Sequence, residues 1–127
     1  MSTHDKQAEL MRIGDAHMKS IAEMVEALDG EYPEEAMLRI QEDPLSVEVS
    51  GTWAWGDVPE SDTFVVLLST GGPACRIIAK HDTKVITDAW LEVQDWFTPW
   101  TRVPSDEPVL LRYLDALGLD PGDYYAR

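Results

Sequence analysis

The spacing of apolar residues changes twice along this 127-residue chain, and that change constrains its fold more than any other feature. From about Asp5 to Asp29, Leu10, Ile13, His17, Ile21, Met24 and Leu28 fall at steps of three and four. That is the period of one helix face, and Met11, Met18 and Val25 widen the stripe. From Leu45 the period drops to two. Leu45, Val47, Val49, Gly51, Trp53 and Trp55 alternate with Ser46, Glu48, Ser50, Thr52 and Ala54, which predicts a half-buried strand with one wet face. Near the end the helical period returns in Val109, Leu110, Tyr113, Leu114 and Leu117.

Turn and cap residues divide these regions. Gly30 suits a position just past the first helix. Pro33, Glu34 and Glu35 suit the first turn of a second one, which carries Ala36, Met37, Leu38 and Ile40 and ends before Asp43-Pro44. Thr63–Ser69 is apolar on both faces and reads as a central strand. Thr70-Gly71-Gly72-Pro73 turns the chain into a return strand, Ala74–Lys80. His81-Asp82-Thr83 turns it again into a strand from about Ile86 to Trp96, with Ala89, Leu91 and Val93 opposing Trp90, Glu92, Gln94 and Trp96. Ser105 or Asp106 can cap the last helix, Gly118 stops it, and the tail DPGDYYAR reads as loosely held. The prediction is an α+β fold: an antiparallel four-stranded meander with two N-terminal helices and one C-terminal helix packed on it. It is one domain over 1–127, with an acidic helical part (1–43), the sheet (44–103) and a C-terminal helix and tail (104–127).

Charge narrows the function. The chain holds 24 Asp and Glu against 10 Lys and Arg, a net charge of -14, and residues 1–43 carry 11 of those acids with 4 bases. Direct nucleic-acid binding needs clustered cations, and anionic membrane surfaces would repel such a chain. No apolar run approaches the roughly 20 residues of a membrane span, and no signal segment is visible, so a cytoplasmic, reducing location is expected. A lone cysteine excludes a disulfide framework and a Cys-rich zinc site.

Catalytic readings are weak. Cys75 and His81 are six residues apart across an expected turn, and a flanking strand makes Cys75 a core cysteine on the plainer reading. His4, His17 and His81 form no paired metal motif, and the carboxylates lack EF-hand order. Gly71-Gly72 precedes a strand and has no lysine at phosphate-loop spacing. The expectation is therefore no enzyme, no catalytic residue, no metal and no cofactor.

Two constellations remain. Trp90, Trp96 and Trp100 crowd one segment with Phe97 and Pro99, while Trp53 and Trp55 lie on the first strand. They serve either as core or as a recognition surface, with Trp96 and Trp100 the candidate anchors. Asp29, Glu31, Glu34, Glu35, Glu42 and Asp43 place six carboxylates in fifteen residues against Arg39 alone, and Glu23 and Glu26 extend them along the first helix. A solvated surface explains them. So does a decoy, because B-DNA shows about one charge per 1.7 Å of axis and a carboxylate-studded helix imitates part of that row. Solubility needs a net charge of only about 2–8 in a small domain.

Three segments carry a resemblance: Glu42-Asp43-Pro44-Leu45-Ser46, Leu67–Ala74 (LLSTGGPA) and Leu91–Trp100 (LEVQDWFTPW). They resemble small acidic proteins encoded by bacteriophages, prophages and other mobile elements, over about residues 36–103 and the Leu110-Leu111-Arg112-Tyr113 start of the last helix. The resemblance implies an accessory protein acting inside a bacterium, and by analogy an anti-CRISPR or similar inhibitor of host defence. The expected partner is the basic surface of a bacterial nucleic-acid-handling complex, a CRISPR effector first, met as monomer or homodimer without direct nucleic-acid or membrane contact. The alternative is a phage accessory or structural module that binds a protein or small ligand through its Trp-rich loop.

Overall fold

The computed structural model describes residues 3–51, 62–71, 73–82, 85–96 and 98–119. Trp53, Trp55, Phe97 and the tail after Leu119 lie outside them. The element order is α1 (Thr3–Ala27), α2 (Pro33–Glu42), β1 (Ser46–Gly51), β2 (Asp62–Ser69), β3 (Ala74–His81), β4 (Ile86–Gln94), β5 (Thr101–Val103) and α3 (Glu107–Ala116). The strands form one antiparallel sheet in the order β1-β2-β3-β4-β5.

The α+β arrangement matches the expectation, but the meander has five strands and not four. Leu91 pairs with Val103, Glu92 with Arg102 and Val93 with Thr101. Three residues behind a proline-containing segment are too short to display a period of two. The fourth strand also ends at Gln94, so Trp96 belongs to the turn that follows.

Period-two alternation builds the core. Phe64 and Val66 of β2, Cys75, Ile77 and Ala79 of β3, Ala89, Leu91 and Val93 of β4, and Val103 of β5 are buried on one face. Leu10, Ile21, Met24 and Val25 of α1 and Leu110, Tyr113 and Leu114 of α3 meet them there. Each fully buried aliphatic side chain contributes roughly 1.5–3 kcal/mol relative to exposure. Gly14 is buried where α1 crosses β5, and a Cβ there would lie 2.6 Å from Val103 Cγ2, so only glycine permits that approach.

The second helix departs from the expectation. It packs on α1 and α3 through buried Ala36 and Ile40 instead of lying on the sheet. Gln41 Nε2 donates to the Ala116 carbonyl at 3.3 Å, and the Tyr113 hydroxyl donates to Asp43 at 2.7 Å. β1 departs as well. The register pairs Val47 with Val66, so Val47 faces the helix side, yet it is 38% exposed and Leu45 is 59% exposed. The helices lie over β3, β4 and β5 and stop short of that edge.

The ends of α3 match their sequence signals. Asp106 caps it by accepting from the Val109 amide at 3.4 Å, while Ser105 accepts from the Leu91 amide at 2.8 Å and secures β4. Gly118 (φ +80°) follows α3, and Gly71 (φ +88°) takes the same left-handed backbone in the β2–β3 turn.

Candidate functional site

Six of the candidate acids lie where α1 ends and α2 begins, and Glu42 and Asp43 lie at the other end of α2. Glu23, Glu26, Asp29, Glu31, Glu34, Glu35, Glu42 and Asp43 are all exposed. Glu31 and Glu35 line an open notch of about 290 Å³ together with Tyr32, Ala27, Ala36 and Arg39. Two of the eight are engaged inside the molecule. Asp29 receives both ends of the Arg112 guanidinium at 2.9 Å, a long-range pairing that holds its carboxyl below the ordinary range and that sequence proximity did not reveal. Asp43 accepts from Tyr113, whose hydroxyl is pushed upward first by burial and then by that bond. The other six make no ion pair with a described residue.

The tryptophans lie elsewhere. The sheet face opposite the helices holds Trp90 beside Glu92, with Arg76 paired to Glu92 across the strands. Arg76 Nε and Nη2 donate to Glu92 Oε1 at 2.9 and 2.7 Å, and Trp90 Nε1 donates to Glu92 Oε2 at 3.0 Å. The Arg76 guanidinium lies 4.1 Å from the Trp100 ring centre, and the Arg102 guanidinium 4.5 Å from that of Trp90. These are cation–π distances. Trp100 is half-buried and serves as a stacking platform within this lattice. The lattice was missed in the sequence, although the alternation already placed Trp90 and Glu92 on one face.

Trp96 is different: its side chain is 73% exposed. Its turn is pinned, because Asp95 accepts from the Trp96 amide at 2.7 Å and from Lys6 Nζ at 3.2 Å, while the Asp95 amide donates to Thr98 Oγ1 at 3.0 Å. The first two bonds hold the Asp95 carboxyl below its ordinary range. The same tie fixes Trp96 beside the start of α1, and the acids begin at Glu23. Seventeen helical residues separate Lys6 from Glu23, about 25 Å at 1.5 Å per residue. The acidic edge that begins at Glu23 is therefore remote along α1 from the Trp96 turn, and one small patch does not contain both.

The candidate nucleophile and its candidate base do not meet. Cys75 and His81 share β3, and six residues of strand separate them by about 20 Å. Burial pushes the Cys75 thiol up to about 12, so it stays protonated. The His81 ring stacks on Phe64 at 4.2 Å between ring centres. Among the described residues no three His, Cys, Asp or Glu side chains group as a metal site.

Comparison with protein-family models, curated proteins and solved structures finds no match to this chain. The two turn segments that carry the sequence resemblance do meet in space. Ala74 pairs with Gln94 and Arg76 with Glu92, which sets LLSTGGPA and LEVQDWFTPW side by side at one end of the sheet. Among the described residues no helix is long and apolar enough to cross a membrane.

Proposed function

We propose that this chain is a non-enzymatic binding protein that presents the carboxylates of α1 and α2 to a Lys/Arg-lined surface. In the setting implied by its resemblance to phage and mobile-element proteins, that surface belongs to a bacterial nucleic-acid-handling defence complex, a CRISPR effector first. The observation that carries the reading is the set of six exposed carboxylates without an ion pair to any described residue: Glu23, Glu26, Glu31, Glu34, Glu35 and Glu42. A surplus of like charge costs folding stability, and a basic partner relieves that cost on binding.

The test is target-DNA binding by a purified CRISPR effector challenged with this chain. Wild type should inhibit, and inhibition should fade as salt rises past physiological strength. Glu31, Glu34 and Glu35 changed together to Lys should abolish it. Asp29 stays out of the set because its reversal would oppose Arg112 and disturb the fold. Full inhibition by the triple variant would sink the proposal.

A second reading places binding at the β4–β5 turn. Trp96 favours it, since a solvent-exposed indole on a pinned turn loses little freedom on burial in a partner. Under that reading Trp96→Ala removes binding and the acids do not matter.

A further inference from the structure

Acidity is not the only unusual property of the α2–β1 region. Of the eight large apolar side chains that stand exposed among the described residues, five lie between positions 32 and 47: Tyr32, Met37, Leu38, Leu45 and Val47. They are interleaved with Glu34, Glu35, Glu42 and Glu48. A surface built only to imitate phosphates has no use for them.

β1 gives this mixture a direction. Among the described strands it is an edge of the sheet, so one side of its backbone faces away from β2. The Leu45 amide donates to the Leu67 carbonyl at 2.8 Å, which carries the pairing one residue beyond the strand. Along this edge the two faces differ. Leu45 and Val47 stand on the helix side, beyond the cover of α1 and α3, while Ser46 and the exposed Glu48 stand on the other. A strand added there meets apolar side chains on one face and a carboxylate on the other.

We propose that β1 is a docking edge for an extended, basic segment of the partner protein, one in which apolar residues alternate with Lys or Arg. Its backbone continues the sheet, its apolar side chains cover Val47 and Leu45, and its cations face Glu48. The inference rests on the acidic-edge reading and specifies the partner element that the edge receives. Charge complementarity selects a basic strand over a second copy of this chain, because two copies would bring Glu42, Asp43 and Glu48 of each against the other.

The test uses two capped, fluorescent octapeptides of the same composition: valine and lysine alternating, and the same residues in two blocks. Affinity is read by anisotropy and backbone pairing by hydrogen exchange at residues 45–51. The alternating peptide should bind about tenfold tighter than the blocked one, since only it matches both faces in register. It should also slow exchange at β1. Val47→Lys, checked for folding by circular dichroism, should erase the preference, whereas Glu31, Glu34 and Glu35 changed to Lys should weaken both peptides alike. Equal, salt-sensitive binding of both peptides with unchanged exchange at β1 would overturn the docking edge and leave the acidic-edge reading standing. Failure of both peptides to bind would overturn the two together.

Discussion

The open face of the sheet and the α2 end of the helical layer are both rich in charge, and they use it in opposite ways. On the sheet, Glu92 takes Arg76 and the Trp90 indole, while Arg76 and Arg102 lie over Trp100 and Trp90. Each of these charges has a neighbour to answer it, on a face that no helix covers among the described residues. Around α2, six carboxylates make no ion pair with a described residue and large apolar side chains remain exposed. Charge density alone therefore does not identify a binding surface. What distinguishes the two regions is whether the charges are answered within the fold.

Substitutions should separate the regions, with the helix–sheet contact at Gly14 setting the upper end of the scale. Gly14→Leu forces α1 off Val103 and should cost about 1–3 kcal/mol or more, read as a lower urea midpoint. Glu92→Ala strips the acceptor from Arg76 and from the Trp90 indole and should cost about 1.5–3 kcal/mol by the same measurement. A neutral result would mean that the lattice is ornamental. Tyr113→Phe removes the bond to Asp43 and should cost about 1 kcal/mol.

His17 sharpens the comparison through pH. Burial holds its ring below the ordinary value of 6.5, against an opposing pull from Asp43. The unfolded chain therefore takes up that proton first as pH falls. The contribution is complete above about pH 6.5 and declines below it. A melting-temperature series across that range should be flatter for His17→Gln than for wild type. The smallest effect belongs to the open region. Glu23→Gln and Glu31→Gln together should shift stability by about 0.5 kcal/mol or less, since neither has an ion pair with a described residue to lose and neither lies in the first turn of α2. A large loss there would move those acids into the architecture.

The sequence made most of the elements legible because their periods are clean. The stripe from Leu10 to Leu28 marks α1, and Ala89, Leu91 and Val93 mark the buried face of β4. β5 was hidden by its length and by the proline before it. The placement of α2 was hidden because an amphipathic stripe reports that a face is covered and not what covers it. The acids could be named one by one, but Arg112 was invisible as the partner of Asp29 across 83 positions. The exposure of Val47 was equally hidden, since its alternation matches that of a covered strand and only the reach of the helices decides between them.

The tie between Lys6 and Asp95 spans 89 positions of chain. α1 is made first, yet the groups that receive it, Asp95, Val103 and Leu110, are made near the end. α2 follows at once and packs on it, but at about 5–20 residues per second the helix waits roughly 5–20 seconds before β5 and α3 can complete its cover. A net charge far from zero keeps chains apart, and residues 1–43, with 11 acids and 4 bases, carry half of the surplus, so the part of the chain that waits longest is also the most acidic.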